Sequence, residues 1–422
     1  MTATANPRAA ETSTGHWRRA ADGRAWLLAW LAAGIIAAAV TCEAMHAEMA
    51  AFRHPTVILA GQDFWNNTWW AVRDLLSDAN IYAASHAVIP GVEPAWPASP
   101  HVPASLFWQA PFAALPIPTA LYAFTLASIL AIWTGVFVLT RPRTPWAVVA
   151  TAACGAFAIL IGGGPETLLL GQPTGFIVLG LALLVRARQP WLAGLGLMLA
   201  ATTLQTGLPL ALSLLVLNAW PVLWRGITLI LVCCAPPVGL EISNSGFHGF
   251  VTAFTSGAAY HLGKEGNRID LGALLRALGV TGVGTQLAAG LALLAVGLVY
   301  LARLPRNARR IDNPPVLCVV IAIVLLCTYH QYYDVLMVGA VAVPVIVIVD
   351  RSWPMLPSYG LAAIGATLSI YNLRDIASPL CLLAVAIGSA VAARTPAASA
   401  QLVDTNLPDR LAGTAYSSRL VR

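Results

Sequence analysis

The chain has 422 residues, 58% of them hydrophobic and only 10% charged, with a mean hydropathy of +0.73. Soluble globular domains carry about 25% charged residues, so the composition excludes an ordinary cytosolic protein and indicates one that crosses a membrane many times. The net charge of +6 would suit a nucleic-acid partner in a soluble chain, but its distribution along the sequence gives it another source.

Ten-residue segments with alternating polarity, the signature of a membrane barrel, are absent. Helices that satisfy their own backbones are then the way through lipid, and the expected class is all-α. Residues 1–24 are polar and basic, a tail before an apolar run too extended for a cleaved signal, so the first span reads as a signal anchor. Twelve spans are predicted, near 25–42, 118–140, 146–164, 173–186, 191–204, 206–217, 226–240, 284–304, 314–329, 334–349, 355–372 and 378–394. Several are shorter than the ~20 residues that a full crossing needs. The pair around "LQTGLP" reads either as two short spans or as a re-entrant hairpin. Residues 25–394 thus form one transmembrane domain, and 395–422 a polar tail expected to be disordered.

Arginine sets the orientation. "HWRRAADGR", "TRPRT", "VRARQ", "LWRG", "ARLPRNARR", "DRS" and "AARTP" fall in alternate loops and, by the positive-inside rule, in the cytoplasm with both tails. The inside then holds 18 basic and 6 acidic residues, and the outside 6 basic and 12 acidic. The positive balance is therefore an inside charge and implies no nucleic acid. The predicted location is the plasma membrane, with two long outer loops at 43–117 and 241–283. Seven of the eight histidines (His46, His54, His86, His101, His248, His261 and His330) lie on the outer side. No GxGxxG or GxxxxGK[ST] motif is present, and the inner loops are too short to hold a nucleotide-binding domain. An enzyme built this way works outside, on a substrate carried in lipid.

Within the first outer loop stands "AGQDFWNNTWWAVRDLLSDANIY". Trp65, Trp69, Val72 and Leu76 share one helical face, and tryptophan favours the headgroup level. A short helix lying on the outer leaflet follows, with Asp63 in its first turn. There the carboxylate either caps the helix or serves as a general base at the lipid–water boundary; spacing alone leaves both open. Prolines 90, 94, 97, 100, 103, 111, 116 and 118 predict an extended, turn-rich remainder of the loop. In it Trp96 and Trp108 either stack on sugar rings or anchor the membrane. Further on, Glu166 reads as a loop charge, and Asp74 and Asp78 as solvated faces of the surface helix.

Gln172 closes "LLLGQ" at the mouth of the 173–186 span, where glycine lets the backbone turn towards a ligand; a plain span-initiating turn fits equally. His330 and Asp334 of "TYHQYYDV" sit at the outer end of a span, where ionisable groups are functional by default. The second outer loop carries Glu241, His248, His261, Lys264, Glu265, Arg268 and Asp270, and "GFHGFVTAFTSGAAYHLG" has the spacing of a second surface helix. No paired metal-ligand spacing occurs, and no metal is expected. The seven cysteines lie in or beside apolar runs without a CxxC and read as small packed hydrophobes.

Taken in order, "DF…AVRDLLSDANIY", "HVPASLFWQAPFAALP", "LLLGQPTGFIVLGLALL", "WLAGLGLMLAATTLQTGLPLALSLL" and "TYHQYYDVLMV" resemble the polyprenyl-phosphate-sugar-dependent glycosyltransferases of the GT-C class, most nearly glycosyltransferase family 87. Actinobacterial members of that family make mannosylated lipids and glycans. The resemblance implies a bundle of about a dozen helices with a catalytic aspartate in the first outer loop, which is Asp63 here. It implies inverting transfer of a sugar from a polyprenyl-phosphate donor to a glycolipid or polysaccharide acceptor, with no cofactor and no metal. Mannose is the first expectation for the donor sugar, and arabinofuranose from decaprenyl phosphate the second. Two positions depart from the family's pattern: Pro173 stands where asparagine is frequent, and Gln205 where many members have lysine. His330, Gln205, Gln172, Arg268 and Lys264 are then the candidates for the donor phosphate, with Asp334, His248 and Trp96 as further substrate contacts. The broken "LQTGLP" helix would also suit a lipid or solute transporter, although the span interiors hold almost no charge and no internal repeat is visible. A catalytically dead scaffold of the same fold is a third reading, prompted by Gln205.

Overall fold

The computed structural model describes residues 8–53, 61–77, 102–263, 268–349 and 374–394. Among them every regular element is helical, apart from an isolated antiparallel bridge between Arg268 and Gln331. Helix α1 (Arg8–Arg53) leads into a composite segment of α2 (Gln62–Phe64), a π turn (Trp65–Trp69) and α3 (Trp70–Leu76). There follow α4 (Pro103–Ala113), α5 (Ile117–Thr140), α6 (Pro145–Leu160), α7 (Gly164–Leu170), α8 (Thr174–Arg186), α9 (Pro190–Ala200) and α10 (Leu204–Val216). Then come α11 (Trp220–Gly263), α12 (Leu271–Ala277), α13 (Val283–Ala302), α14 (Pro314–Cys327), the mixed helix Tyr332–Val349 and α15 (Arg374–Arg394).

Each predicted span inside the described residues falls on a helix; the one at 355–372 lies outside them. The described residues hold fewer full-length spans than the twelve expected. Among the described residues six helices are long and apolar enough to cross, or seven if α6 and α7, bent by 53° at their break, are one span. Helices α8, α9, α10 and α14 have 11 to 14 residues. At 1.5 Å per residue each is about 20 Å long or less, short of a ~30 Å hydrocarbon layer.

The short helices form the middle of the bundle. α8 packs between α5 and α9, α11 covers α9 and α4, α1 lies on α6, and α14 on α13 and α15. Helices α8 and α9 approach closely: a Cβ on Gly180 would lie 2.6 Å from the Gly196 carbonyl oxygen and one on Gly196 2.5 Å from that of Gly180. Lipid is as apolar as leucine, so helices in it gain little by hiding hydrophobic surface and much by backbone proximity.

The apolar face of the tryptophan segment packs against protein. Trp65, Trp69 and Val72 are buried with Phe64, Leu106, Leu121 and Phe124, and only Leu76 of the predicted apolar face is exposed. The Trp69 indole N–H donates to the Leu115 carbonyl at 3.0 Å, and Arg73 stacks 4.1 Å over the Trp69 ring. The apolar face was correctly located, but protein covers it instead of lipid. Asp74, expected in solvent, is buried too, whereas Asp78 lies outside the described residues. Residues 103–113 of the proline-rich loop form α4, because Pro103 occupies a first helical position that needs no amide donor. Glu166 stands in the first turn of α7, not in a loop. The predicted second surface helix is the end of α11, beyond a break at Gly246 (φ 71°, ψ 161°).

Helix α8 also separates two chemistries. At its end Arg186 donates to the Leu139 carbonyl at 2.8 Å and accepts at its own carbonyl from Arg141, with Arg143 and Asp312 within electrostatic range. Thr174, at its start, bonds the carboxylate of Asp334.

Candidate active site

The site is assembled on the turn that ends α7. Gln172 N–H reaches the Thr167 carbonyl at 2.8 Å and Gly171 N–H that of Leu168 at 3.0 Å, which closes the helix in a Schellman motif. Gly171 takes φ +68°, and a Cβ there would lie 2.5 Å from Cβ of Phe64, so the position has two reasons to be glycine. The turn thereby sits directly on α2. A backbone bond from Gly61 N–H to the Leu169 carbonyl, 2.7 Å, fixes the register between them.

In that register Gln172 Nε2 donates to Oδ2 of Asp63. Asp63 lies in the first turn of α2 while Gly61 holds the cap position, so the carboxylate is not the N-cap. Gln172 is buried at 6% exposure. The weakest fragments of the sequence pattern, "DF" and "GQ", are therefore in direct contact across 109 residues.

Two residues on, Thr174 Oγ1 donates to Asp334 Oδ1 at 3.2 Å. Asp334 Oδ2 accepts from the Gln331 amide at 3.4 Å and pairs with His330 Nδ1 at 2.8 Å. A carboxylate that accepts throughout leaves the proton on Nδ1, so Nε2 of a neutral His330 carries a lone pair. The ring is fully buried and its Nε2 has no hydrogen-bond partner among the described residues. The backbone of His330 is held on both sides: its N–H donates to Asp270 Oδ2 at 3.1 Å and its carbonyl accepts from Ile269 at 3.0 Å. Asp270 in turn takes a bidentate pair from Arg268, 2.8 Å to each oxygen, and caps α12 by accepting from Ala273 N–H at 3.1 Å.

The two halves share Tyr333, a buried residue within electrostatic range of both Asp63 and Asp334. Tyr329, between α14 and the next helix, lies under the Arg268 guanidinium at 5.0 Å and accepts from Gln331 Nε2. Burial pushes its phenol up to about 12.

Of the residues singled out in the sequence, Asp63, Gln172, His330 and Asp334 are thus brought together. Arg268 is beside them, with its charge engaged by Asp270. Gln205 is half-buried at the start of α10, and its carbonyl accepts from Thr328, two residues before His330, at 3.0 Å. His248 is exposed on α11. Lys264 and Trp96 lie outside the described residues. Among the described residues no three His, Cys, Asp or Glu side chains are grouped as a metal ion would require.

Sequence reasoning missed Thr174 and Tyr333 at the site and, elsewhere on α1, the buried Glu48. Glu48 is a buried carboxyl on α1 with one oxygen that has no partner among the described residues; an acidic residue next to an apolar run was the available signal. Thr174 and Tyr333 lie inside the fragments "LLLGQPTGF" and "TYHQYYDV", but nothing in those fragments sets them apart from their neighbours.

A bundle of apolar helices with a carboxylate–amide and a histidine–carboxylate pair at one end defines a polytopic membrane protein with a polar site at the rim. The family model of glycosyltransferase family 87 matches residues 100–329, more than half of the chain, and the chain belongs to that family. It is accordingly a membrane glycosyltransferase. The matched stretch contains Gln172, Gln205, Lys264 and Arg268, while Asp63, His330 and Asp334 lie beyond it. No curated protein and no solved structure matches the chain.

Proposed function

We propose that the protein transfers a sugar, mannose first among the candidates, from a polyprenyl-phosphate donor to a glycolipid or polysaccharide acceptor on the outer face of the plasma membrane. Asp63 is the general base. It takes the proton of the acceptor hydroxyl as that oxygen attacks the anomeric carbon. The bond from that carbon to the phosphate oxygen breaks, polyprenyl phosphate leaves, and the anomeric centre inverts in one displacement.

The observation that carries this reading is the contact between Gln172 and Asp63, which seats a carboxylate at the same end of the bundle as the His330–Asp334 pair. Charge growing on the departing phosphate needs donors nearby. His330 Nε2, once protonated, is the best-placed group for it, with Gln205 on the neighbouring chain segment. The orientation is supported by the arginines at the far end of α8, which the positive-inside rule puts in the cytoplasm.

The test is sugar transfer by purified wild type and Asp63→Asn in nanodiscs. Polyprenyl-phosphate mannose and decaprenyl-phosphate arabinofuranose are offered separately, with a host glycolipid extract as acceptor. Wild type transfers mannose, and the variant loses about 100- to 10,000-fold in rate, the range for removing a general base. Transfer from the arabinose donor alone replaces the sugar assignment. A variant as active as wild type removes Asp63 from the mechanism.

A further inference from the structure

We infer that Gln172 is a positioning residue for Asp63: its side-chain amide aims the carboxylate and favours the ionised form that accepts the acceptor's proton. The inference rests on the reading of Asp63 as base and assigns Gln172 a task other than holding donor phosphate.

Three observations carry it. First, the amide is buried, and a buried amide N–H is costly unless it is bonded; Gln172 directs its Nε2 to Asp63 Oδ2. Second, the docking of the two turns does not depend on this side chain. The Gly61–Leu169 backbone bond and the contact of Gly171 with Phe64 already join them. The amide adds orientation and charge stabilisation to an interface that exists without it. Third, the same short segment, "GQPT", also sets Asp334 through Thr174 Oγ1. One rigid turn therefore fixes both carboxylates of the site relative to each other, and Gln172 is its contact on the Asp63 side.

A hydrogen bond donated to a carboxylate favours the charged form. Without it Asp63 holds its proton to higher pH, and the acid limb of the rate profile, which reports ionisation of the base, moves up. Among the described residues, the titratable groups on the elements beside α2 include Glu166 of α7 and, on the helix packed against α7, Tyr333 and Asp334; none of them is altered by a change at position 172.

Initial rates of transfer are measured from pH 4.5 to 9 for wild type, Gln172→Met and Gln172→Glu in nanodiscs, using polyprenyl-phosphate mannose and a glycolipid extract. Gln172→Met removes the donor at similar length. Its kcat is expected to fall on the order of tenfold, with the donor KM within about twofold and the acid limb moved up by about one pH unit. Gln172→Glu sets a second carboxylate against Asp63 and is expected to move the limb further. Melting of each variant is followed in parallel. An unmoved limb in both variants overturns the inference, whether kcat is retained or falls in proportion to the folded fraction, as does a loss confined to KM. Asp63→Asn separates the two claims. If it is inactive while the Gln172 variants keep the wild-type profile, only the positioning role fails. If it is active, the base assignment fails with it.

Discussion

Helix α1 and the helix Tyr332–Val349 are almost equally apolar, yet the most apolar window of the first is 17% buried inside the protein and that of the second 78%. Helices α11 and α13 resemble α1 at 22%. Hydropathy alone therefore does not distinguish a helix that faces lipid from one enclosed by protein, because both surroundings are apolar. What differs is the polar chemistry at the ends. The enclosed helix carries Tyr333 and Asp334 in its first turn and starts two residues after His330, and α14 before it is buried throughout. In the described residues the site belongs to enclosed segments, while the peripheral helices form the wall around it.

That contrast can be broken most severely at Asp270. Asp270→Ala strips a buried Arg268 of its partner, so a loss of about 3–5 kcal/mol is expected from thermal or denaturant unfolding in detergent. The cap of α12 and the support of the His330 backbone go with it. A stability within 1 kcal/mol of wild type would mean that Arg268 finds another partner. Next in size, Leu325→Ala in the enclosed α14 removes a fully buried side chain. Lipid offers no better solvent than the protein interior, so the cavity dominates the cost, about 2 kcal/mol. Gly180→Val forces α8 from α9 and is expected to cost roughly 1–3 kcal/mol, read as a fall in melting temperature. At the small end, Leu231→Ala on α11, 63% exposed, should stay within about 0.5 kcal/mol. Equal losses for Leu231→Ala and Leu325→Ala would abolish the distinction between wall and core.

The sequence carried the class and the run of spans, because a charge-free apolar stretch has few other uses. It did not carry depth: α8, α9, α10 and α14 are apolar enough for lipid but too short to cross alone. The tryptophan face shows the same limit. Its periodicity marks which side of the segment is apolar, and says nothing of whether lipid or α4 and α5 cover it. Asp63, Gln172, His330 and Asp334 could each be picked out as polar residues at the ends of apolar runs. Their pairing could not, because the partners stand 109 residues apart for Gln172 with Asp63 and 160 for Thr174 with Asp334. No period links such distances.

Those separations govern when the site comes into being during synthesis. Asp63 leaves the ribosome early, its amide partner more than a hundred residues later, and the His330–Asp334 pair only after α14 has been made. Until then the nascent protein carries the proposed base without the histidine pair that completes the site. A chain halted before Asp334, although rich in inserted helices, is expected to be silent. On the proposed mechanism, activity comes only with the histidine pair, late in synthesis.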